Sequence, residues 1–110
     1  MFSFAEREKG EMTMVEASVA IQVLPKVSDT KEVIRIVDKV IEYISSTGFK
    51  YMVGPFETTI EGDYDSLMDI VKQCNKICIN EGAGSVSTYV KIFYSPEGVL
   101  TIGEKTDKYR

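Results

Sequence analysis

No histidine occurs anywhere in this chain. That removes a histidine general base, a Ser-His-Asp triad and a Cys/His zinc site before any geometry is considered. The side chains left for chemistry are carboxylates, amides, hydroxyls, aromatic rings and two thiols. Cys74 and Cys78 are those thiols. Four residues apart in a helical pattern, they share one helix face with their Cβ vectors alongside each other, which suits a disulfide poorly. Buried core packing is the reading that this spacing favours. Seventeen Asp and Glu residues offer so many pairs that Glu57 with Glu61 says nothing by itself. Neither G-x-x-x-x-G-K-S/T nor G-x-G-x-x-G is present, and Gly82-Ala83-Gly84 follows a helix instead of opening one, the wrong place for a phosphate cradle. With no nucleophile and base at matching spacing, the residues argue for binding and against an enzyme. Glu61 can supply a carboxylate, Gln22 both donor and acceptor, Ser18 and Thr59 hydroxyls, Lys91 a cation, and Tyr89 a stacking face with cation–π character.

Hydrophobic periodicity supplies the frame those side chains need. A first strand reads from about Val15 to Leu24, where Val15, Ala17, Val19, Ile21 and Val23 alternate with Glu16, Ser18, Ala20, Gln22 and Leu24. The uniformly apolar set should face inward, and Pro25 stops the ladder. A helix starts after Asp29, with Glu32 three residues on in capping-box fashion. Val33, Ile36, Val37, Val40, Ile41 and Ile44 follow at helical spacing, and Gly48 supplies a left-handed stop. So β-branched a stripe has poor helix propensity and must be held by packing. Phe49 to Val53 reads as the second strand, Gly54-Pro55 as a turn, and Phe56 to Glu61 as the third strand. A second helix begins at Asp63 or Asp65, carries Leu67, Ile70, Val71, Cys74, Ile77 and Cys78 inward, and ends at Gly82. The fourth strand spans about Ser85 to Tyr94, with Val86, Thr88, Val90 and Ile92 on one face and Ser87, Tyr89, Lys91 and Phe93 on the other. Beyond Gly98, the apolar residues Val99, Leu100 and Ile102 need cover, either as a short helical turn or against another subunit.

That order is β-α-β stated twice. It predicts an α+β, ferredoxin-like βαββαβ fold, a four-stranded antiparallel sheet with two helices on one face. At 110 residues the length suits one domain, read as 13–110 behind a flexible N-terminal extension, 1–12, whose charged run Glu6 to Glu11 has no periodicity. A net charge of −4 argues against nucleic acid and anionic membrane surfaces. No apolar run approaches the ~20 residues of a membrane span, and sparse cysteine suggests a reducing, cytoplasmic compartment. The sheet face away from the helices holds Leu24, Met52, Tyr89 and Phe93, too apolar to be simply solvated, together with Gln22, Glu61 and Lys91. Mixed surfaces of this kind mark self-association with polar groups at a seam cavity. The candidate site is therefore Ser18, Gln22, Thr59, Glu61, Tyr89 and Lys91. Gln22 and Glu61 are expected to converge on the two central strands, and Lys91 to pair with Glu61 or Glu16. Glu61 also has a plain structural role available, complementing the dipole of the helix that follows it.

Four stretches in register carry a resemblance: Ile21-Gln22-Val23-Leu24-Pro25, Gly48 through Pro55, Thr58 through Asp63, and Thr88-Tyr89-Val90-Lys91-Ile92. From about Met14 to Lys105 the chain resembles the thiamine-binding, YkoF-related family of small proteins. The resemblance implies a ferredoxin-like subunit that forms a homodimer through its sheet faces and often a homotetramer. It also implies thiamine or hydroxymethylpyrimidine as a bound small-molecule ligand, not a cofactor, without known catalysis. The chain departs from the pattern in its longer N-terminal arm and in lacking the basic helix common after Gly98. A cationic thiazolium with an aminopyrimidine needs an amine acceptor, negative charge and a flat apolar surface, which Gln22, Glu61 and Tyr89 can supply. The alternatives are a regulatory amino-acid-sensing module, a structural oligomer without ligand, and a small isomerase or acylphosphatase-like enzyme. Pro25-Lys26-Val27-Ser28-Asp29 lacks both the glycine-rich turn of the first and the arginine-bearing phosphate loop of the last.

Overall fold

Strand β1 (Ala17–Pro25) pairs on both sides and forms the spine of the molecule. A computed structural model describes residues 15–110 of the chain; the proposed N-terminal extension, 1–12, lies outside the described residues. Helix α1 (Thr30–Ser46) follows β1, then β2 (Lys50–Val53), β3 (Thr58–Gly62), helix α2 (Tyr64–Asn80) and β4 (Val86–Tyr94). A short helix α3 (Ile102–Thr106) and a 3-10 turn (Asp107–Tyr109) close the chain. All strand pairings are antiparallel, in the order β2-β3-β1-β4, so β3 and β1 are central and β4 is an edge. The fold is α+β.

The apolar half of β1 enters the core as its alternation requires: Ala17, Val19, Ile21 and Val23 are buried, as is Ile60 opposite Val19. Ile36, Val40 and Ile44 close over them from α1, and Leu67, Ile70, Cys74 and Cys78 from α2. Each buried aliphatic side chain contributes about 1.5–3 kcal/mol, whereas a β-branched residue loses at most about 0.7 kcal/mol of helix propensity. Packing therefore decides that α1 is a helix. Both cysteines are free.

The helix ends follow the sequence closely. The Asp29 carboxylate accepts from Glu32 N–H at 2.9 Å, and Asp63 accepts from Ser66 N–H at 2.9 Å. Gly48 (φ 83°) and Gly82 (φ 114°) sit in left-handed stops. Glu32 does not complete a capping box. Its carboxylate binds Arg35, which also donates to the Glu81 side chain at 2.7 Å and the Glu81 carbonyl at 2.6 Å, tying α1 to the end of α2.

Three expectations are corrected. β3 begins at Thr58, because Gly54 N–H donates to the Glu57 carbonyl at 2.9 Å and draws Phe56 into a turn, where it is exposed. Val90 and Ile92 lie on the helix-side face of β4 but are 36% and 47% exposed, because α2 packs mainly over β1 and leaves the edge strand uncovered. The sheet face away from α1 and α2, expected to be covered by self-association, is covered in part by the chain's own α3, through Ile102 to Glu61 and Lys105 to Ser18.

Candidate functional site

Strand register places the candidate residues on one face. Ser18 lies opposite Glu61, Ala20 opposite Thr59, Ala20 opposite Lys91 across its other edge, and Gln22 opposite Tyr89. All six therefore share the face away from α1 and α2. They do not share one binding position. Glu61 is level with Ser18, and Gln22 is four residues further along β1, a separation of about 13 Å at strand rise. The expected convergence of Gln22 and Glu61 does not occur, because neighbouring strands do not bring residues together unless their register does.

The C-terminal segment takes up the Ser18–Glu61 end. Thr101 and Glu104 form a reciprocal capping box, with hydrogen bonds of 2.8 and 3.0 Å, that starts α3. The first-turn N–H of Ile102 donates to Glu61 Oε2 at 2.7 Å, and Lys105 Nζ donates to Ser18 Oγ at 3.4 Å. Ser18 and Glu61 are consequently 7% and 6% exposed. The Glu61 carboxylate does meet a helix start, but that of α3, forty-one residues away, and not α2. Burial pushes its pKa up from the ordinary glutamate value. The Ile102 N–H and the charges of Lys50 and Lys105 oppose that rise, and Glu104 adds to it.

Between α3 and the sheet lies a cleft of about 690 Å³ whose walls include Phe49, Lys50, Glu61, Asp63, Glu104 and Asp107. Four carboxylates against one lysine favour a cationic occupant, and the Phe49 ring supplies apolar surface. Asp63 is held below its ordinary pKa by the Ser66 N–H and hydroxyl, so it stays ionised. Gln22 lines a different cleft, about 230 Å³, enclosed by α1 and the β2–β3 turn with Val37, Ile41 and Phe56. Tyr89 is 64% exposed on the open part of the face. Lys91 pairs with Glu57 at 3.2 Å, not with Glu61 or Glu16. Glu16 is turned to the α2 start, where it accepts from Tyr64 N–H at 2.9 Å. Sequence reasoning missed Asp63, Glu104 and Asp107 as cleft residues. The Thr101-x-x-Glu104 capping signature was there to be read, but nothing local says where so short a helix docks. Among the described residues no group of three or more His, Cys, Asp or Glu is placed to hold a metal, and no helix is long and apolar enough to cross a membrane.

Residues 19–110 match the sequence profile of the family described as thiamine-binding protein. The chain belongs to that family. A UPF0045 protein of Clostridium perfringens is 54% identical over 97 residues, which cover 88% of this chain and all of the relative. Among solved structures, a Bacillus cereus domain of the DUF77 class is similar with a TM-score of 0.78 at 41% identity, covering 88% of this chain and 92% of that one. A Thermotoga maritima protein provisionally assigned to thiamine biosynthesis or salvage follows at 0.76 and 39%, covering 86% and 99%. The thiamine-binding family is one of binding proteins and not a known enzyme family, and membership gives this chain a small-molecule-binding role.

Proposed function

We propose that this chain binds thiamine or a related hydroxymethylpyrimidine, with the cationic ring in the cleft under α3. The observation that carries the reading is the cleft itself: a ligand-sized concavity in which buried Glu61 stands among Asp63, Glu104 and Asp107 beside the Phe49 ring. A thiazolium needs the negative charge, an exocyclic amine needs an acceptor, and the ring needs apolar surface. Glu61 lines the cleft from the sheet side, with Ser18 opposite Glu61 on β1 and Thr59 two residues along β3. Gln22, about 13 Å along β1 from the Glu61 level, and the exposed Tyr89 and Lys91 are read as part of a seam with a second subunit, a homodimer through the sheet faces that can pair again as a homotetramer. The strand order β2-β3-β1-β4 around two β-α-β units supports naming the architecture ferredoxin-like. The span 13–110 is read as one domain, and the two free cysteines support a reducing, cytoplasmic setting.

A thermal-shift series with thiamine, its phosphates, hydroxymethylpyrimidine and free amino acids tests the reading, because a ligand that binds only the native state raises the melting temperature. A shift with thiamine or the pyrimidine and none with amino acids is expected. A shift with amino acids alone makes the chain a regulatory module, and no shift with any of them defeats ligand binding of this class. Titration calorimetry with Glu61→Gln then locates the site, with affinity for thiamine falling roughly tenfold, the scale of one charged hydrogen bond.

A further inference from the structure

Three polar side chains are buried among the described residues: Ser18, Thr58 and Glu61. Ser18 accepts from Lys105, and Glu61 accepts from Ile102 N–H. Thr58 is 7% exposed, and its hydroxyl has no hydrogen-bond partner among the described residues. A buried hydroxyl without a partner carries its full desolvation cost, so it calls for an explanation. Thr58 lines the cleft of about 230 Å³ beneath α1. That cleft exists because β1 outruns its neighbour. β3 starts at Thr58, opposite Ile21, so β1 continues to Pro25 with no strand along that edge. The turn that could fill the gap is closed on itself by Gly54 N–H to the Glu57 carbonyl, and Val37, Val40 and Ile44 of α1 roof what is left.

We propose that this cleft is a second small-molecule site, separate from the α3 cleft, and that it takes an uncharged, one-ring nitrogen heteroaromatic whose ring nitrogen accepts from the Thr58 hydroxyl. Size, charge and shape select that class. An apolar cavity of about 150 Å³ holds benzene, so this cleft has room for one ring with a small substituent. Glu57 is the one charged residue lining it among the described residues, and its carboxylate is already paired with Lys91 at 3.2 Å. An ion among these aliphatic walls would have no counter-charge, which excludes cations and anions alike. Phe56, 78% exposed, adds an aromatic face on which a flat ring can stack. The Gln22 amide, on the same cleft, offers a further donor and acceptor to a ring substituent. The α3 cleft, with Glu61, Asp63, Glu104 and Asp107, has the opposite preference. The two sites therefore discriminate by charge, and the inference stands whether or not the α3 cleft binds thiamine.

Amide NMR spectra of the full-length chain, titrated near neutral pH with 4-methylpyrimidine and separately with toluene, test it. The two probes share a shape and differ in the ring nitrogens. Saturable shifts with 4-methylpyrimidine are expected at Val37, Ile41 and Thr58 and not from Ile102 to Thr106, with a dissociation constant on the order of 1 mM. Thr58→Val keeps the side-chain shape and removes the hydroxyl. It should weaken 4-methylpyrimidine about fivefold, leave toluene binding equal or tighter, and melt at or above the wild-type temperature. Val37→Phe, at a half-buried position, should block both probes while keeping the circular dichroism of the wild type. Absence of saturable shifts with 4-methylpyrimidine, shifts confined to α3, or binding retained by folded Val37→Phe overturns the proposal. So does equal weakening of both probes by Thr58→Val. A Thr58→Val chain that melts well below the wild type also overturns it, because the hydroxyl would then serve the fold and not a ligand.

Discussion

Glu61 serves two ends that pull in opposite directions. As the acceptor for Ile102 N–H it docks α3, and as a buried carboxylate it is costly to keep ionised. Its folded pKa is raised, so the native state takes up its proton at a higher pH than the unfolded chain does. The stability it contributes is therefore greatest below the ordinary glutamate pKa and is lost as pH rises through the raised value. Glu61→Gln keeps the acceptor and removes the charge. It is expected to melt at a temperature equal to or above that of the wild type at pH 7, with the difference closing as the pH approaches 4, while thiamine affinity falls. Melting curves from pH 4 to 8 check the sign, and a variant less stable at every pH would show that the charge itself holds α3. The thiols are a second residue-scale case. Burial pushes Cys74 up to about 12 and raises Cys78 as well. Since the thiolate is the reactive form, neither should react with a disulfide reagent at pH 8 on the timescale of minutes unless the protein is unfolded first.

At the scale of elements, two junctions carry consequences. Gly62 ends β3, and a Cβ there would meet the Phe49 ring at 2.5 Å. Gly62→Ala must therefore displace a side chain that lines the cleft, at a cost of about 1–3 kcal/mol. Both melting temperature and ligand affinity should fall, whereas Gly84→Ala, which meets nothing within 4 Å, should change neither. Helix α3 is only five residues long and cannot be stable by itself, so its cap and its dock hold it together. Thr101→Ala removes the hydroxyl that accepts from Glu104 N–H and should cost about 1 kcal/mol. Faster amide exchange confined to the C-terminal segment, with slow exchange retained in β1, is the expected signature.

Over the whole molecule, the open sheet face can be challenged by itself. Leu24 is 44% exposed on that face. Leu24→Asp should lower the order of a face-to-face assembly by sedimentation while keeping the circular dichroism of the wild type. An unchanged sedimenting mass would mean that this face is not the seam.

Alternation and helical spacing determined a good deal of this protein unaided. The inward set of β1, the burial of Cys74 and Cys78, and the shared face of Ser18, Gln22, Thr59, Glu61, Tyr89 and Lys91 are consequences of periods 2 and 3.6; the Asp29 cap and the glycine stops at Gly48 and Gly82 follow from local backbone chemistry, and the structure chose Asp63 over Asp65 as the second cap. Family membership was legible as well, in stretches from Ile21 to Ile92. What depends on distance between elements was not legible. Which residues of β1 and β3 stand level is set by pairing register, and this separates Gln22 from Glu61. How far α2 reaches across the sheet is set by packing against α1, and this leaves Val90 and Ile92 exposed. The role of Glu61 depends on a contact with Ile102 across forty-one positions of sequence. Only tertiary structure could decide it, because a five-residue helix has no stability that would mark its docking place in advance.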